Sequence, residues 1–176
     1  MMSQHLFRLK SLACSLSVFL IATGIPACRK PPTPAEETIL FKGLEQGRWH
    51  AEENLDYELF VPCKGNTYRI ELILRTDNRY PKGYINIASS LQRDLYYNRK
   101  DTLRLTLASE AGKWIGKGVA VSELRTVLYH SISPPLAGIY KLSVKPAGDS
   151  TLYGVQTVGI RMLCTYDAAG KAKKPR

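Results

Sequence analysis

The chain has 176 residues, with 25 lysines and arginines against 15 aspartates and glutamates, a formal net charge of +10. Apolar residues make up 44% and charged residues 23%, a balance that excludes a wholly disordered or fibrous chain and allows one domain with a sizeable core. A basic chain with 10 tyrosines would suit nucleic acid, but an export leader at its start removes that partner.

Residues 1–27 read as a bacterial lipoprotein signal peptide. Arg8 and Lys10 open it, an apolar stretch covers 11–22, and Ile25-Pro26-Ala27 precede Cys28. A spanning helix needs about 20 apolar residues, whereas this run is shorter, holds Ser11, Ser15 and Ser17, and meets Gly24 and Pro26. The arrangement makes Cys28 the acylated, palmitate-bearing first residue of the mature protein. The rival is an ordinary secretory signal cut near Ala27, with Cys28 left as a thiol. Without Arg8 and Lys10 the mature chain keeps 23 basic against 15 acidic residues. Acidic lipid headgroups or polysaccharide phosphates are the anions such a surface meets in the envelope.

Residues 28–37 hold three prolines and few apolar side chains, which makes them an extended tether. The folded domain is expected over 38–167, followed by a basic tail over 168–176 with Lys171, Lys173, Lys174 and Arg176. Within the domain the apolar pattern has period two almost throughout, the mark of half-buried strands. Leu55, Tyr57, Leu59 and Val61 alternate with polar positions; so do Tyr68, Ile70, Leu72 and Leu74. Further strands are expected over 84–91, 103–107, 114–121, 126–132, 140–144 and 152–164. Short helical turns would fit 44–49 or 122–128. Turn chemistry separates the strands at Lys64-Gly65-Asn66, Pro81-Lys82-Gly83, Ala111-Gly112, Pro134-Pro135 and Gly148-Asp149. About eight strands without room for crossover helices give an all-β antiparallel sandwich, jelly-roll-like.

The parity of the flanking strands turns both Cys63 and Cys164 inward, and an exported chain with two spare cysteines invites a disulfide between them. Two buried free thiols are the alternative. The inventory for catalysis is thin. His50 and His130 have no second ligand at metal spacing, and there is no nucleophile elbow and no Gly-rich phosphate loop. Neither catalytic residues nor a metal or cofactor are expected. Of the aromatics, Tyr96 and Tyr97, with Arg99, fall in what reads as the longest loop and are the best exposed candidates for holding a partner. Trp114 lies between Gly112 and the pair Gly116 and Gly118, a stretch kept bare so that a backbone or an indole can lie close, or else a docking groove.

Several stretches resemble the gliding-motility lipoprotein GldH family of Bacteroidota: Tyr68-Arg69-Ile70-Glu71-Leu72-Ile73-Leu74-Arg75, Tyr84-Ile85-Asn86-Ile87, Asp101-Thr102-Leu103-Arg104-Leu105, Gly138-Ile139-Tyr140 and Leu152-Tyr153-Gly154-Val155-Gln156. The most specific is Gly112-Lys113-Trp114-Ile115-Gly116-Lys117-Gly118. The resemblance implies a lipid-anchored, non-catalytic component of gliding and type IX secretion that works by binding envelope proteins. Arg29-Lys30 behind Cys28, in place of an acidic run, points to the periplasmic face of the outer membrane. A carbohydrate-binding lipoprotein of the same fold is the alternative.

Overall fold

In a computed structural model, residues 37–171 are described, apart from 78, 79, 119, 149 and 168. The leader, Cys28, most of the tether and the end of the basic tail lie outside the described residues. Ten strands follow in order: β1 Glu37–Gly43, β2 Arg48–Trp49, β3 Leu55–Val61, β4 Thr67–Asp77, β5 Tyr84–Arg93, β6 Tyr97–Thr106, β7 Val121–Ile132, β8 Gly138–Pro146, β9 Leu152–Tyr153 and β10 Val155–Tyr166. A 3-10 turn at Glu45–Gly47 is the one helical element among them. All pairings are antiparallel.

The eight long strands form two sheets, ordered β1-β10-β4-β7 and β3-β8-β5-β6, while β2 and β9 make a two-stranded ribbon. Apart from the β5–β6 hairpin, each connection between long strands crosses from one sheet to the other. Two four-stranded sheets interleaved in this way are a jelly roll, as expected. The core is the inward row of each strand. Tyr57 and Leu59 on β3, Leu142 and Val144 on β8, and Ile85 and Ile87 on β5 face Ile70 and Leu72 on β4 and Val158 and Ile160 on β10, all of them buried. Two tyrosines stitch the layers. The Tyr57 hydroxyl donates to the Val158 carbonyl at 2.9 Å, and the Tyr129 and Ser89 hydroxyls share a bond of 2.9 Å. Burial raises the pKa of both phenols, so each stays a neutral hydroxyl.

The outer face of the first sheet is sealed differently. Arg161 on β10 donates to Glu37 on β1 at 2.7 Å and to Glu71 on β4 at 3.1 Å, and Arg75 donates to Glu123 on β7 at 2.9 Å. Those hydrogen bonds hold the Glu37 and Glu123 carboxyls below the usual carboxylate range. Between the pairs the Phe41 ring lies against bare Gly159, where a Cβ would come within 2.4 Å of it. An aromatic laid across a strand glycine restores the packing that the missing side chain forfeits.

Three of the expected strands and turns are corrected, and β1 has no counterpart among those expected. Of the strand expected over 114–121, residues 114–118 are instead the return of a small hairpin, with isolated bridges Ala108↔Trp114 and Lys117↔Glu123, and Val121 opens β7. Residues 122–128 are strand rather than helical turn. The stretch 152–164 is split at Gly154, whose φ of 87° ends the short β9 before β10 begins.

Candidate interaction surfaces

The strand order sorts the connections into two ends. At the end where the chain enters lie Glu37, the β3–β4 loop, the β5–β6 turn, the β7–β8 loop and the close of β10. At the far end lie the β4–β5 and β6–β7 connections and the β2–β9 ribbon.

The predicted residues do not share one surface. Tyr96 stands at the entry end, 76% exposed, on a tight turn closed by a hydrogen bond from its own backbone N–H to the Arg93 carbonyl. Tyr97 and Arg99, expected in a long loop, belong to β6. Both fold over the open side of the sandwich: Tyr97 meets the Tyr140 ring edge-on at 5.6 Å, and the Arg99 guanidinium lies 5.0 Å from the centre of the Tyr129 ring. Trp114 is at the far end, half-buried and edge-on to Tyr80 at 6.5 Å. Burial lifts the Tyr80 hydroxyl to about 12, and this hydroxyl donates to the Tyr84 carbonyl at 2.8 Å.

The expected inward parity holds for one cysteine only. Cys164 is buried, while Cys63 is exposed, because β3 stops at Val61 and alternation ends with the strand. Cys164 nevertheless sits opposite Tyr68, whose hydroxyl is pushed up chiefly by burial. His50 touches Thr151 at 3.3 Å, and among the described residues no three His, Cys, Asp or Glu side chains gather as metal ligands.

The glycines around Trp114 serve the chain's own backbone. A Cβ at Gly116 would lie 3.0 Å from the Glu123 carbonyl oxygen, and one at Gly118 would lie 1.9 Å from that of Val121. The block is therefore pressed on the start of β7, and it offers Ile115, 52% exposed, to solvent.

On the outer face of the second sheet, Asp56, Ser143, Ser90 and Lys100 form one row across the four strands. The short side chains of Ala88, Ser90 and Ser143 floor a depression of about 790 Å³, rimmed by Lys100, Lys141 and Lys145. Asp56 accepts from Lys141 at 2.8 Å and from Ser143 at 2.6 Å, and the Lys141 bond is the main cause of its lowered pKa. Among the described residues no aromatic ring is in this lining.

Residues 40–162, which span β1 to β10, match the GldH lipoprotein family. The chain belongs to that family. A curated relative, the gliding motility lipoprotein GldH of Flavobacterium johnsoniae, is 25% identical over 123 residues, which is 65% of this chain and 76% of the relative. Among solved structures, dimeric latent PorU from Porphyromonas gingivalis aligns over 76% of this chain with a TM-score of 0.36 and 9% identity, and the chain spans 13% of PorU's length. A pentameric capsid protein from metagenomic phage sequences aligns over 74% of this chain and 80% of its own with a TM-score of 0.25 and 12% identity. The family region includes the Trp114 hairpin and both outer faces, and among the described residues no helix is long and apolar enough to cross a membrane. Three features carried no readable sequence signal: the Phe41–Gly159 pair, the Arg161 ion pairs and the polar depression. Each joins strands far apart in the chain.

Proposed function

We propose that this chain is a lipid-anchored, non-catalytic accessory subunit of gliding motility and type IX secretion, held through Cys28 on the periplasmic face of the outer membrane and acting by binding envelope proteins. The observation that carries the reading is the family match over 40–162, joined to a leader that ends in Ile25-Pro26-Ala27-Cys28. For the protein contact we favour the far end, where exposed Ile115 and Val121 flank half-buried Trp114 on a hairpin fixed by its own glycines. Apolar side chains beside a rigid aromatic suit an interface core.

One set of variants in cells tests the parts separately. Cys28→Ser is expected to move the protein from the membrane to the soluble fraction after a high-salt wash. Ile115→Arg is expected to leave it membrane-bound while gliding or secretion fails, and His50→Ala and His130→Ala to keep both. Persistence of Cys28→Ser in washed membranes would sink the anchor. Loss of function in a histidine variant whose folding and anchoring are intact would point to catalysis instead. The alternative of a carbohydrate-binding lipoprotein rests on the depression over Ser90 and Ser143, with its hydroxyls and ammonium groups, and it gains if Ile115→Arg functions normally.

The Cys63–Cys164 disulfide is part of the same proposal: both are free thiols in the structure, but Cys63 in the β3–β4 loop and Cys164 near the close of β10 lie at the same end of the sandwich. Closing a loop of about 100 residues stabilises by up to about 4.7 kcal/mol in the chain-entropy model. Alkylation of the denatured, unreduced protein from the envelope should leave both cysteines unmodified; labelling at both would disprove the bridge.

A further inference from the structure

Both ends of the described chain lie at one end of the sandwich. The chain enters at Glu37, which sits opposite Leu163 near the close of β10, and β10 runs out at Tyr166 toward a tail holding Lys171, Lys173, Lys174 and Arg176. The same end carries a group of uncovered apolar side chains. Phe60 and Ile139, cross-strand neighbours on β3 and β8, are 61% and 58% exposed, and Leu95 in the β5–β6 turn is fully exposed beside Tyr96. Leu136 and Tyr166 are exposed there as well. Lys64 and Arg93 supply positive charge nearby. The acids of this end are Glu37, which already accepts from Arg161 at 2.7 Å, Asp94 and Asp167, and the Asp167 carboxylate already accepts from the backbone N–H groups of Ala169 and Lys171 at 3.0 and 2.9 Å.

Eight residues lie between Cys28 and Glu37, so even a fully extended tether reaches about 30 Å. Strands of 10 residues such as β5 and β6 place the far end roughly 33 Å beyond the entry end. A domain on so short a leash is held with its entry end near the bilayer. Leucine, tyrosine and phenylalanine among cations are what an interfacial site presents to anionic headgroups and the upper acyl region.

We propose that the entry end, with Leu95 and Tyr96 at its tip and Phe60 and Ile139 beside them, docks on the surface of an anionic bilayer and so fixes the far end toward other proteins. The biological use of this docking rests on the Cys28 anchor, but the contact itself belongs to the folded domain and is read without the lipid. The test uses the mature chain from residue 28 with Cys28→Ser, sedimented with vesicles of equal parts phosphatidylglycerol and phosphatidylethanolamine, and with phosphatidylcholine vesicles for comparison. Binding is expected to the anionic vesicles, weakened about tenfold by Leu95→Ser combined with Tyr96→Ser and unchanged by Ile115→Ser combined with Tyr153→Ser at the far end. As a second readout, Leu95→Trp should add fluorescence that brominated acyl chains quench. No binding to anionic vesicles, equal weakening by the two double variants, or an unquenched tryptophan at position 95 would each overturn the proposal. A chain that passes here but stays in washed membranes as Cys28→Ser even when Leu95→Ser and Tyr96→Ser are added fails only the anchor.

Discussion

Trp49→Ala is expected to lower the stability of the domain by about 3–5 kcal/mol, the range for removing a fully buried large aromatic. Trp49 has no exposed surface although it sits in a strand of two residues. The β2–β9 ribbon is too short to stand alone, so the indole, and not the ladder, holds this crossing onto the sandwich. Its Nε1 donates to the Glu53 carbonyl at 3.1 Å, which also fixes the loop that leads into β3. Alanine would leave a void and remove this hydrogen bond together. Urea unfolding should show a lower midpoint at unchanged slope. A loss under about 1 kcal/mol, far below the usual cost of an indole-sized deletion, would mean that the ribbon is held by something else.

The second large effect is expected at Gly118. Its φ of 133° is one that side chains rarely adopt, and the added Cβ would meet the Val121 carbonyl oxygen at 1.9 Å, so the backbone must move. That movement breaks the Lys117–Glu123 bridge, with its hydrogen bonds of 3.0 and 2.9 Å. Backbone strain of this kind costs on the order of 1–3 kcal/mol, and the lost bridge adds to it. Gly112→Ala separates the two causes. Gly112 has a φ of 76° with nothing within 4 Å of an added Cβ, so it carries conformational strain alone, about 1–2 kcal/mol. Thermal unfolding should rank Gly118→Ala clearly below Gly112→Ala, and hydrogen exchange at the Lys117 and Glu123 amides should quicken in the former only. Equal losses would place the cost in φ and refute the clash.

Strands that bury one face were legible because the chain alternates in plain view. β3, β4 and β8 carry Leu, Ile, Val or Tyr at every second position, and their cores follow from parity. β1 escaped because Ile39, Leu40 and Phe41 are apolar on both faces; Phe41 is needed outside, over Gly159. Parity also failed past the end of a strand, which is why Cys63 turned out exposed. Tyr97 and Arg99 look like loop residues in a string of polar neighbours, yet Tyr140 and Tyr129 draw them onto the sandwich from strands that only the fold brings near. The exposure of Tyr96 was readable from the local pattern. That Tyr96 and Trp114 stand at opposite ends was not, since it depends on which way each strand runs.

The pairing of the first strand with the last has a consequence for how the domain is made. β1 has β10 as its partner in the sheet, and Glu37 lies opposite Leu163, so the first strand of the domain waits for the last. β10 also separates β1 from β4 and brings Val158, Ile160 and Met162 to the core. A chain stopped before β10 lacks both the neighbour of its first strand and a central rib of its interior. Pairings this distant in sequence make folding slow, because chain entropy is lost before the contacts that reward it can form. The domain therefore assembles as one unit, and only once the whole of β10 is available to pair with β1 and β4.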